Sequence, residues 1–200
     1  MNTALQSKKP PYMMIVILFV GAFVSFLNNS LLNVALPSIM VDLKIDNYST
    51  VQWLATGYML VSGVLIPASA FLITRFSNRS LFITSMLIFT LGTAMAAFAP
   101  NFAVLLSGRM VQAAGASVMG PLLMNVMLIS FPREKRGTAM GIFGLVMITA
   151  PAIGPTLSGY IVEYFDWRIL FMMILPLAVL SLLLSVWKLE NVMETDKTAT

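Results

Sequence analysis

The chain contains no cysteine and no histidine in 200 residues, and only 10% of its residues are charged. Without cysteine there are no disulfides and no thiolate chemistry; without histidine there is no imidazole base and no imidazole metal ligand. An enzyme would then need paired carboxylates inside the fold, and no apolar stretch holds such a pair. No catalytic residue, metal site or cofactor is therefore expected. The scarcity of charge is equally restrictive, because a soluble domain carries about a quarter charged residues. Apolar residues fill the gap at 58%, and the mean hydropathy is +0.89, the composition of a polytopic membrane protein; its membrane-length runs make an all-α one the expectation. The net charge of +4 does not point to nucleic acid, because the basic residues lie in short gaps between apolar runs, where they serve orientation.

Six runs reach the length needed to cross a bilayer: 12–36, 51–73, 81–99, 102–128, 138–161 and 169–187. Together they predict a six-helix bundle over 12–187, preceded by an N-terminal segment 1–11 and followed by a short polar tail 188–200. The first run is far longer than the apolar region of a signal peptide, which makes it an uncleaved span. Lys8, Lys9, Arg75, Arg79, Arg133, Lys135, Arg136, Lys188 and Lys197 fall on one side of such a bundle; Lys44 and Arg168 fall on the other. That asymmetry predicts that both termini are cytoplasmic and that the bundle is multi-pass in the cell membrane.

The fourth run, Phe102 to Leu128, carries a single charge, Arg109, with Gln112 one turn later. An arginine at mid-span costs roughly 2.5 to 3.5 kcal/mol, and each large aliphatic residue returns about 0.3 to 0.6 kcal/mol, so the span inserts with little to spare. Helical spacing places Arg109, Gln112, Ala113, Ala116 and Gly120 on one face, which must turn toward other helices or water. Two readings follow: a lined pathway, or a packing arginine bonded to backbone carbonyls.

The first run holds Ser25, Asn29 and Asn33 at steps of four, with Asn28 alongside. Unpaired amides in hydrocarbon are costly, so this stripe faces protein or water. Asn29 lies ~12 Å and Arg109 ~10 Å from the outer ends of their antiparallel spans, a common depth. The asparagines either line a cavity with Arg109 and Gln112 or serve as interhelical glue worth about 0.6 kcal/mol each. The second span has a weak point at Ser62, Gly63 and Pro67. The third, with Gly92, Ala94, Ala96 and Ala97, is expected to pack only. The fifth concentrates Pro151, Gly154, Pro155 and Gly159 after Gly137, Gly141 and Gly144, and should be kinked and tightly packed. Asp166, Trp167 and Arg168 form an interfacial anchor before the sixth.

Three of these stretches resemble the major facilitator superfamily, in its fourteen-span drug:proton antiporter branch (EmrB/QacA type), and within that the lincomycin-type multidrug exporters of Gram-positive bacteria. Leu27 to Pro37 is similar to the branch's L-D-x-T-x-x-N-V-A-L-P pattern, and Arg109, Gln112 and Gly115 match R-x-x-Q-x-x-G. Ala150 to Gly159 resembles the fifth-span antiporter motif. The resemblance implies half of a transporter core. In it Asn28, Asn29, Asn33, Arg109 and Gln112 would line the cavity, Pro151, Gly154, Pro155 and Gly159 would shape the moving interface, and Arg75 and Arg79 would remain of a cytoplasmic gate. It further implies export of drug-like amphipathic molecules, often cationic, coupled to protons, by alternating access with a missing C-terminal half or a second copy. A cavity whose only deep charge is Arg109 could equally favour neutral or anionic ones. A truncated, non-transporting fragment or interaction subunit is the alternative. Two positions depart from the pattern: Asn28 replaces an aspartate, and Thr74 replaces the loop acid, with Ser77 in place of a loop glycine. No carboxylate lies deep in any span, so a proton-carrying acid is expected elsewhere in the transporter.

Overall fold

The computed structural model describes residues 12–188, and it is all-helical among them. Six long helices follow one another: α1 (Tyr12–Asp42), α2 (Tyr48–Arg75), α3 (Asn78–Ala97), α4 (Phe102–Ser130), α5 (Arg136–Tyr164) and α6 (Arg168–Lys188), with a single 3-10 turn at Arg133–Lys135 before α5. All six are long and apolar enough to cross a membrane, and the chain is a multi-pass membrane protein. Lys8, Lys9, Lys197, the N-terminal segment and the tail beyond Lys188 lie outside the described residues.

The helix ends follow from local chemistry. Ser77 caps α3 by accepting from the Ser80 amide at 3.3 Å, and Asn101 caps α4 by accepting from the Val104 amide at 3.0 Å. At the end of α1, Lys44 takes a left-handed conformation (φ 52°), the Ile45 amide reaches back to the Met40 carbonyl at 2.9 Å, and the Lys44 amide to that of Val41 at 3.3 Å. This closed turn satisfies two carbonyls that the helix would otherwise leave open.

Helices α1 and α4 occupy the middle. Helix α4 packs along α3 and α2, α1 along α5 and α6, and α3 meets α6. Exchanging the first three helices for the last three maps these pairings onto one another: α1 against α5 becomes α4 against α2, and α3 against α4 becomes α6 against α1. The triplet repeat that is too faint to read from residues is therefore present in the packing. Burial is uneven. Helix α1 is largely enclosed, whereas α2 and α5 leave most of their apolar surface exposed.

Close approach of α3 and α4 depends on glycine. A Cβ on Gly92 would stand 2.5 Å from the Gln112 backbone nitrogen and 2.7 Å from the Gly108 carbonyl oxygen; one on Gly115 would collide with the Ser85 carbonyl and come within 2.6 Å of the Phe89 nitrogen. In hydrocarbon, where burying apolar surface gives no net drive for association, such backbone proximity supplies the packing energy.

Helix α5 continues through Pro151 and Pro155 without a break in the helix, and its tight packing is confined to one face. Gly154 is pressed against Ser30 of α1, and the Ser158 hydroxyl donates to the Leu31 carbonyl at 2.6 Å. By contrast Gly137, Gly141, Gly144 and Gly159 have open space around them, and Pro151 and Pro155 are exposed. Pro155 has no N–H to offer the carbonyl of Pro151, four residues back. The Ser30 hydroxyl donates to that carbonyl instead, at 3.2 Å, repairing the helix from a neighbour as apolar surroundings require.

Candidate functional site

Arg109 is fully buried, and its guanidinium is held on four sides. Its Nη1 donates to Gln112 Oε1 at 3.0 Å, its Nη2 to Asn29 Oδ1 at 3.2 Å, and its Nε to the Leu54 carbonyl of α2 at 3.4 Å. Its Cζ lies 4.3 Å from the centroid of the Tyr58 ring, a cation–π contact worth about 2 kcal/mol when desolvated. Gln112, also fully buried, extends the network: its Nε2 donates to Thr93 Oγ1 at 2.8 Å and to Asn28 Oδ1 at 3.4 Å. Thr93 in turn donates to the Phe89 carbonyl at 2.8 Å. One network thus ties α1, α2, α3 and α4 together at a single depth.

Every partner of the guanidinium is neutral. Among the described residues, each Asp and Glu sits at a helix end or in a connection: Asp42, Asp46, Glu134, Glu163 and Asp166. The positive charge is therefore balanced by carbonyl oxygens and a ring face, with no carboxylate nearby. Because the guanidinium stays protonated at any physiological pH, this cluster is a fixed charge.

A cavity of ≈ 580 Å³ lies against the network. Helix α1 contributes Ser25, Phe26 and Asn29; α2 contributes Tyr58, Met59, Ser62, Gly63 and Ile66; α4 contributes Ala116, Ser117, Gly120, Pro121 and Met124; α5 contributes Phe143 and Met147. The wall is mostly methionine, phenylalanine and small residues, with hydroxyls and the Asn29 amide as its polar side chains. Methionine and aromatic side chains adapt to apolar ligands of varied shape, and the volume suits a drug-sized molecule. The backbone adds acceptors. Pro67, Pro121 and Pro151 cannot donate to the carbonyls four residues before them, which belong to Gly63, Ser117 and Met147, all three on the cavity wall.

The structure brings Asn28, Asn29, Arg109 and Gln112 together in one network, but of the five residues expected to line the cavity only Asn29 is on its wall; Asn28, Arg109 and Gln112 are buried behind it, and Asn33 is left out. Asn33 is exposed and does not reach the network. Its four-residue step from Asn29 turns about 40° past a full helical turn, so the stripe drifts from buried Ser25, through half-buried Asn29, to exposed Asn33. Of the fifth-span residues, Gly154 packs on α1, while Pro151 lies next to the cavity through Met147. Arg75 and Arg79 stand apart from the network: Arg75 sits 4.8 Å over the Phe71 ring, and Arg79 Nη2 donates to the Val186 carbonyl near the end of α6 at 2.8 Å. At the opposite end of the bundle, Arg168 Nη1 pairs with Asp42 at 2.8 Å, its Nη2 donates to the Ala99 carbonyl at 3.3 Å, and Trp167 Nε1 donates to Asp42 at 3.1 Å, joining α1 and α6 to the connection between α3 and α4.

Sequence reading missed Tyr58 and Thr93. Each is a polar group at mid-span, but Tyr is common near membrane interfaces, and Thr can satisfy itself on its own helix. The third span, expected to pack only, supplies the Gln112 acceptor.

Comparison with known proteins agrees with this architecture. The sequence profile described as Major Facilitator Superfamily matches residues 18–199. The uncharacterized MFS-type transporter YcnB of Bacillus subtilis is 54% identical over 99% of this chain and 42% of its own length. The lincomycin resistance protein LmrB of the same organism is 44% identical over 98% of this chain and 41% of its own length. In fold, the crystal structure of the human organic anion transporter MFSD10 superposes with a TM-score of 0.75 at 14% identity, over 94% of this chain and 50% of that one. The chain thus spans about two fifths of the bacterial relatives it matches. With a profile match over nearly its whole length and a six-helix bundle that fits half of a solved transporter, this chain belongs to the Major Facilitator Superfamily.

Proposed function

We propose that this chain forms the first six-helix half of a secondary exporter for amphipathic small molecules. It would rock against a second six-helix half around the cavity between α1, α2, α4 and α5, coupled to proton movement. The observation that carries the reading is the juxtaposition of a fully buried, polar Arg109 network with a drug-sized apolar cavity. Ionisable groups inside a membrane bundle mark transport pathways, and such sites lie near the midplane of paired halves. The exposed apolar faces of α2 and α5 suit a partner of the same fold. Relatives named for lincomycin resistance and multidrug export support an exported, drug-like substrate. The basic connections at Arg75, Arg79 and Arg133 favour placing that end, with both termini, in the cytoplasm of a cell whose plasma membrane holds the protein. Because no deep carboxylate lies among the described residues, the proton carrier belongs to the second half.

The test is substrate-driven proton movement in inverted membrane vesicles carrying this chain with its second half, with Arg109→Ala as control. An added amphipathic drug is expected to collapse an imposed pH gradient in the wild type and to leave it standing in the variant. No drug-dependent movement in either, from protein shown to be inserted, would favour a non-transporting interaction subunit over the exporter half.

A further inference from the structure

Arg109 does not itself line the cavity; Asn29 does. Asn29 is half-buried and accepts from the guanidinium through Oδ1 at 3.2 Å. That bond fixes the amide orientation, because turning Nδ2 toward Arg109 would oppose two donors. Asn29 keeps its Nδ2 as a donor for a ligand, backed by a full positive charge. We propose that Arg109, acting through Asn29, makes this cavity discriminate against cations, so that it takes uncharged or anionic amphipaths that present a hydrogen-bond acceptor to Asn29. The inference rests on reading the cavity as the substrate site.

The rest of the wall does not reverse the preference. The cavity is lined by no acid and no base, and the described carboxylates lie at helix ends and connections. The carbonyls of Gly63, Ser117 and Met147 accept hydrogen bonds, but a neutral hydroxyl or amide satisfies a carbonyl as an ammonium does. What separates a neutral ligand from a cation here is the charge of Arg109, which the apolar surroundings screen weakly. Asn29 is thus a specificity-determining residue, and Arg109 a positioning one that sets its polarity.

The absence of native cysteine gives a direct readout. Ser62→Cys places a single thiol on the cavity wall, and its rate of maleimide labelling in the full chain, reconstituted in lipid vesicles, reports occupancy. Three probes sharing a naphthylbutyl skeleton and ending in a carboxamide, a carboxylate or a trimethylammonium are compared for protection. The carboxamide and carboxylate are expected to protect at concentrations at least about tenfold lower than the ammonium. Asn29→Asp keeps the shape, neutralises Arg109 at the wall, and is expected to erase that difference. Asn28→Asp, whose carboxylate would accept from Gln112, is expected to narrow the gap and serves if Asn29→Asp does not accumulate. Equal protection by all three probes, or a lead for the ammonium before any substitution, overturns the discrimination and leaves the cavity as a binding site. Protection by none of them overturns both the discrimination and the cavity reading.

Discussion

Arg109 and Gln112 could be singled out from sequence because hydrocarbon offers a guanidinium or a primary amide nothing to bond, so each must find protein partners. Their partners were harder to see. Thr93 bonds the Phe89 carbonyl of its own helix at 2.8 Å, so nothing in the sequence demanded that it meet Gln112 as well. Tyr58 carries no charge and passes as an ordinary aromatic of an apolar span. Asn33 shows the opposite error, since spacing alone grouped it with Asn29 and the drift of the helix carries it away. Thr93→Val preserves shape but leaves Gln112 Nε2 with only its 3.4 Å bond to Asn28. Thermal unfolding in detergent should register a loss of about 1 kcal/mol, and Thr93→Ser should recover most of it; equal stability of both variants would show that the bond contributes nothing.

At the scale of helices, the six apolar runs were legible because length and hydropathy alone require them to cross the membrane. Which faces would pack was not. Glycine content marked α5 as the tightly packed helix, yet the glycines whose added Cβ would come within 3.0 Å of a neighbour's backbone are Gly92, Gly108 and Gly115 of α3 and α4. Sequence counts glycines, whereas packing depends on what faces them. Gly115→Ala should destabilise by about 1 to 3 kcal/mol, since the atoms it meets are backbone and cannot swing away. Gly144→Ala, with nothing within 4 Å, should cost no stability, since helix propensity favours the alanine there. The Ser30 to Pro151 bond gives a coupled prediction. Ser30→Ala alone should lower stability. In a Pro155→Ala background, where the restored backbone N–H can donate to that carbonyl, the same change should cost about 0.5 kcal/mol less. Strict additivity would mean that the hydroxyl does not repair the proline break.

For the whole molecule, the fold separates what holds the half together from what it presents outward. The α3–α4 glycine seam and the Asp42–Trp167–Arg168 cluster bind α1, α3, α4 and α6, while α2 and α5 stay exposed beside the cavity. The family motifs made the half-transporter architecture readable. The internal repeat was not, because it survives in helix pairing after residue similarity has faded. Since Asp42 and Arg168 are both partly exposed, Asp42→Asn should cost under about 1 kcal/mol and leave transport intact, which a vesicle uptake assay would check.

The central claim is that the Arg109 network shapes the transport cavity, and Arg109→Lys tests it most directly. Lysine keeps the charge but lacks the planar fork that reaches Asn29, Gln112 and the Leu54 carbonyl at once. Measured as drug efflux from vesicles matched for inserted protein, the variant should lose at least about tenfold in rate while its helix content and insertion stay at wild-type levels. Efflux within about twofold of wild type would contradict the claim and reduce the network to packing.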